Sequence, residues 1–149
     1  MRLITCLTVS AFLPLQGNAQ VVGDAEEIGA LMNAADIQIE MDQGASDNPQ
    51  IKGDYRGIGF LTRFLDCKTS CASIRMVATY PVPEHAPADA INEWNRNGGI
   101  TSAYIDEWGA PVLTMFMNLT HEGVGRENFT SNLEAWKWSL EAFPDFINR

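Results

Sequence analysis

Cys67 and Cys71, separated by Lys68-Thr69-Ser70, are the residues of this chain whose type and spacing most readily do chemistry. Two thiols so placed can form a redox couple, half of a metal site, or a covalent staple. A redox couple needs a thiolate favoured by a helix N-terminus or by adjacent cations, usually in Cys-x-x-Cys. Here the spacing is longer, and Lys68 is the one helpful neighbour. Zinc would have to recruit His85 and His121, the two histidines, at spacings unlike the compact ligand pairs of structural zinc domains. A staple depends on local structure. Opposed residues of an antiparallel hairpin have Cα atoms roughly 4.5 to 5.5 Å apart, within reach of a disulfide. On a helix, Cβ atoms roughly 5 to 6 Å apart would be too distant for a relaxed bridge. A hairpin therefore makes the pair a clasp, although Lys-Thr-Ser offers no glycine for a left-handed loop position.

Other motifs carry less. Gly53, Gly57 and Gly59 in GDYRGIG lack the G-x-G-x-x-G pattern and a following helix, so flexible strand edges are the expected role. His121-Glu122 lacks the second histidine of H-E-x-x-H, and G-x-S-x-G is absent. No catalytic residue, metal or cofactor is expected. Trp136 falls on a helical core stripe, whereas Trp138 points elsewhere, and an exposed Trp138 would mark an interface or partial packing on a neighbour.

The first residues bear on the compartment. Arg2 precedes an apolar run from Leu3 to Leu15 and a small-residue exit, Gly17-Asn18-Ala19, the pattern of a signal peptide cut after Ala19. The run falls short of the roughly 20 residues that span a bilayer. Residues 1–19 are thus expected to be removed, Cys6 among them, and residues 20–149 to form one domain in the periplasm or outside the cell. Two cysteines in an oxidising compartment favour a disulfide. The 149 residues carry ten lysines and arginines, one of them Arg2, against nineteen acidic residues. That balance repels nucleic acid and anionic lipid, and no later apolar run reaches membrane-spanning length.

The elements that must position these residues follow from periodicity. Asp24 can cap a helix with Glu27 three residues on, and Ile28, Leu31, Met32 and Ala35 share one face to about Ala34. Ile37, Ile39 and Met41 alternate as in a strand, and a loop follows from Gly44 to Pro49. Strand signals return over 51–55, 58–65 and 72–80, until the prolines at 81, 83 and 87 interrupt the sheet. Ala88, Ile91 and Trp94 predict a second helix stopped by Gly98-Gly99. Residues 102–106 and 112–119 read as a hairpin. Phe129, Leu133, Trp136, Leu140 and Phe143 predict a last helix that ends at Pro144. The order α-β-β-β-β-α-β-β-α makes one α+β domain, an antiparallel sheet with helices on one face.

The cysteine pair at a strand junction, INEWNRN (91–97), AYIDEWGAPVLTMFMNL (103–119) and GVGRENFTSNLEAWKWSLEAF (123–143) together resemble the YbjN domain family over roughly residues 51–146. The resemblance implies a fold like that of type III secretion chaperones, no known enzymatic activity, and membership among proteins labelled sensory transduction regulators. Cys67 and Cys71 match the family's pair, Trp94-Asn95 its Trp-Asn, and Gly123 the glycine before its last helix. The chain departs from the family pattern at RNGGIT and TMFMNL. Trp94 itself reads as a core residue on a helix face, with Asn95 placed to satisfy nearby backbone groups.

The expectation is an exported, non-enzymatic domain that acts through protein contact in a regulatory or chaperone-like role, with a homodimer one form of that contact. Trp94, Asn95 and Trp138 are its candidate interface or structural motif. A thiol-redox protein using Cys67 and Cys71, or a small-ligand binding domain, are the alternatives from other classes.

Overall fold

Asp24 does what its place before Glu27 predicts. In the computed structural model, which describes residues 20–44, 47–82, 88–97 and 99–148, its Oδ1 accepts a 2.8 Å hydrogen bond from the Glu27 amide and opens the first helix. The order is β1 (Gln20–Val21), α1 (Ala25–Ala34), β2 (Gln38–Gln43), β3 (Pro49–Tyr55), β4 (Ile58–Cys67), β5 (Cys71–Thr79) and α2 (Ala88–Asn97). Then come β6 (Ser102–Ile105), β7 (Pro111–Asn118), β8 (Val124–Gly125) and α3 (Arg126–Ile147). The expected α+β order stands, with two additions. β1 and β8 are two residues each and pair with one another, too short for any periodic signal. Residues 1–19, on which the expected signal segment falls, and His85 lie outside the described residues.

The main sheet is antiparallel throughout, in the order β2-β3-β4-β5-β7-β6. Its register aligns one face into rows of buried side chains. Ile51, Thr62, Met76 and Met115 form one such row across four strands. Gly53 faces Phe60 in the next, and a Cβ at Gly53 would lie 2.4 Å from the Phe60 ring. That glycine therefore makes room for an aromatic ring rather than loosening an edge. Phe60 in turn meets Trp136 of α3 edge-on at 5.5 Å. Gly57 has its own reason: Arg56 and Gly57 both take positive φ, closing the two-residue β3–β4 turn.

The helices cover this buried face. Gly29 of α1 sits against Ile39 and Ile51, and Phe129, Leu133, Trp136, Leu140 and Phe143 of α3 are buried along the predicted stripe. All five hold the 3.6-residue spacing, which is why the stripe is legible.

Pro144 does not end α3, contrary to expectation. The helix passes through it to Ile147. Proline removes the N–H that Leu140 C=O would accept, but the buried Tyr80 hydroxyl donates to that carbonyl at 3.1 Å. The orphaned acceptor thus has a partner from the end of β5. Burial raises the Tyr80 pKa, so the hydroxyl stays protonated to donate. Tyr80→Phe is expected to leave the carbonyl unpaired and cost about 1 to 2 kcal/mol in chemical denaturation. An unchanged midpoint would mean that the helix tolerates Pro144 unaided.

Candidate functional site

The cysteines occupy the tip of the β4–β5 hairpin. Cys67 and Cys71 are register partners joined as a disulfide, with Cα atoms 3.8 Å apart, closer than the spacing expected for opposed residues. The missing glycine is answered two residues before the loop itself, because Asp66 takes φ +53°, and aspartate is among the residues that tolerate that region. Within the loop, Lys68 N–H donates to Ser70 C=O.

A second segment clamps the tip. The Cys71 amide donates to Gly23 C=O at 2.9 Å, and Leu119 N–H donates to Ala72 C=O at 2.8 Å. A Cβ on Gly23 would stand 1.8 Å from the Cys71 carbonyl oxygen, so the approach needs glycine. Nothing in VVGDAEE announces this, because Gly23 and Cys71 are distant in sequence.

Surroundings decide what the pair can do. An open recess of about 600 Å³ beside it is lined by Asp24, Glu26, Asp42 and Asp47 against Lys68. Redox thiolates sit in cationic settings, and this lining is acidic. Cys71 is buried and Cys67 half-buried. Among the described residues no three His, Cys, Asp or Glu side chains gather to hold a metal.

The geometry supports a clasp closing a very short loop. Substituting both cysteines with serine is expected to lower stability by only about 2 kcal/mol. In a thiol titration across a redox series, the pair should remain bridged below about −230 mV, and opening above that potential would mark redox work.

The Trp94-Asn95 pair serves a different part of the fold. Trp94 is buried and stacks on Trp138 of α3 at 6.0 Å and 17°. It also meets Phe143 and Phe146 edge-on at 5.0 and 5.3 Å. Trp138 is nonetheless 59% exposed, so it both packs on a neighbour and presents a face to solvent. The Trp94 indole N–H is buried with no hydrogen-bond partner among the described residues.

Asn95 grips the sheet. Its Oδ1 accepts from Ala103 N–H at 2.7 Å, and its Nδ2 donates to Ala103 C=O at 2.9 Å. Among the described residues β6 is an edge strand, paired only with β7, and edge strands leave peptide groups bare. One carboxamide here does the work of a neighbouring strand at the buried Ala103. Clasp and grip are not brought together. Ser73, just past the clasp, pairs with Asn118 at the end of β7, whereas Ala103 pairs with Leu113 nearer its start.

Gly123, the third position that the resemblance singled out, takes φ +79° before β8, and a Cβ there would lie 2.2 Å from Val21 C=O. Cysteine clasp, Trp-Asn grip and left-handed glycine each solve a specific backbone problem. The family model for YbjN, described as "Putative bacterial sensory transduction regulator", matches residues 24–149.

The chain belongs to the YbjN family.

The YbjN match begins at Asp24, the α1 cap, and covers every element except β1. No curated protein and no solved structure matches the chain. The roles of Cys67, Cys71, Trp94, Asn95 and Gly123 therefore follow from their geometry. Cys67, Cys71, Asn95 and Gly123 brace a strand end or a sheet edge, and Trp94 packs α2 against α3.

Proposed function

We propose that this YbjN-family chain is an exported, non-enzymatic regulator that works through protein contact, in a regulatory or chaperone-like role. The family's description supports regulation. The observation that carries the contact reading is the exposure of large aromatics: Trp108 at 78%, Trp138 at 59% and Phe116 at 54%. Tryptophan and its aromatic relatives are enriched where proteins meet, because each buries a large rigid area at little entropic cost. Trp138 is also held in place by its stack on Trp94, so its exposed face is presented in one orientation.

Export rests on the Arg2, Leu3–Leu15 and Ala19 pattern, and a Cys67–Cys71 bridge suits an oxidising compartment. No described helix is long and apolar enough to cross a membrane. A sheet with helices on one face is also the architecture that the family resemblance leads one to compare with type III secretion chaperones.

The test is crosslinking in the periplasm with the protein as bait, comparing wild type with Trp108→Ser and Trp138→Ser. A discrete crosslinked partner is expected, reduced several-fold in a variant that unfolds like wild type. Turnover of a small molecule by the purified protein, abolished by changing a polar cleft residue, would sink the reading.

A further inference from the structure

The sheet face turned away from the helices carries a charge arrangement that the fold does not require. Strand alternation and register put Gln50, Arg63, Arg75 and Phe116 in one row across four strands. Leu61 and Val77 pair in the neighbouring row and are only partly buried. Arg63 and Arg75 are thus direct cross-strand partners, both exposed, and like charges directly opposite one another destabilise a sheet.

Carboxylates are abundant enough to relieve this, at nineteen against ten cations. Lys52 pairs with Glu40 and Asp42, Arg56 with Glu141, Arg126 with Glu27 and Lys137 with Glu134. Arg63 and Arg75 have no carboxylate within ion-pair distance among the described residues. Arg75 instead lies over the Phe116 ring, 5.9 Å from its centroid.

We propose that this open face docks an acidic segment of another protein, with carboxylates on Arg63 and Arg75 and apolar side chains on Leu61, Val77 and Phe116. The proposal rests on the reading that the chain works by protein contact. Charge selects the occupant. A second copy brought up on a twofold axis would set the arginine pair against itself. Nucleic acid or an anionic bilayer extends over the whole molecule and meets its net charge of −9. A short segment feels what lies within a screening length of about 8 Å; around Arg63 and Arg75 that is the arginine pair, since Asp42, beyond Gln50 in the same row, is already engaged by Lys52. Two guanidinium forks can each take a carboxylate bidentately, and doing so removes their mutual repulsion.

The probe is a dye-labelled peptide in which Glu alternates with Leu and Phe, titrated by fluorescence anisotropy against the full chain as purified from its cells. The Glu peptide is expected to bind at least about tenfold more tightly than its Gln counterpart. Arg63→Gln/Arg75→Gln should weaken it by a similar factor, as should about 0.5 M salt. Thermal unfolding of the double variant should be unchanged or shifted upward, which excludes misfolding as the cause. Equal binding of both peptides, equal binding by the double variant, or no binding by wild type overturns the proposal. Binding to phosphatidylglycerol vesicles without the peptide, or a dimer that the double variant abolishes, overturns it in favour of lipid or a second copy. If the peptide fails while the periplasmic crosslinks persist in the double variant, this face is wrong and the contact reading stands. If the crosslinks are missing as well, both fall.

Discussion

Gly123→Ala is expected to cost about 3 kcal/mol, a large effect for the addition of a single methyl group. Two penalties combine. At φ +79° an L-residue pays roughly 1 to 2 kcal/mol for the left-handed region. The new Cβ would also lie 2.2 Å from Val21 C=O, a backbone atom held in the β1–β8 ladder, so relief requires moving β1. Overpacking of this kind costs roughly 1 to 3 kcal/mol. Gly109 separates the two terms. It has φ +83°, and a methyl group added there would meet nothing within 4 Å among the described residues, so Gly109→Ala should pay the conformational cost alone. Denaturant midpoints of the two variants side by side give the contact term by difference. Equal losses would show that β1 yields freely.

Asn95→Ala is expected to lose about 2 to 3 kcal/mol and, in addition, to raise self-association. Both peptide groups of the buried Ala103 lose their partners at once. An unpaired buried backbone group costs about 1 to 3 kcal/mol, less where water can enter the space vacated. The exposed edge of β6 then offers a free donor and acceptor to another strand. Asn95→Asp keeps the acceptor for Ala103 N–H but sets a carboxylate oxygen against Ala103 C=O, and should fall nearer to alanine than to wild type. Chemical denaturation reads the first effect and light scattering the second. A wild-type midpoint for Asn95→Ala would show that β6 needs no cover.

How far the fold can be read in advance tracks how local its causes are. Asp24 and Glu27 lie within one turn, as do successive members of the Phe129–Phe143 stripe, and both readings hold in the structure. The hairpin of the cysteines is legible for the same reason. Pro144 misleads because what rescues the helix is the Tyr80 hydroxyl, 60 residues in sequence from the Leu140 carbonyl it serves. Gly53 reads as a loose edge because the Phe60 ring that needs its space faces it from the next strand. Sequence points to Lys68–Ser70 for the left-handed residue of the clasp, but Asp66 supplies it. At the candidate sites the residue types are visible, and Asn95 matches backbone groups even before its partner is known. The row of arginines is not visible, since only the β4–β5 register makes Arg63 and Arg75 neighbours.

The pairing of β1 with β8 has a consequence for the order in which the chain can finish folding. Gln20 faces Gly125, and Val21 faces Val124, so the first strand has no partner until nearly the whole chain has emerged. A chain that emerges N-terminus first must hold those residues in waiting while the central hairpins, whose strands adjoin in sequence, zip together. The β1 segment then closes over Cys71 through Gly23 as a latch rather than a nucleus. Whatever meets this chain as it folds finds a nearly finished sheet with an untied leading end.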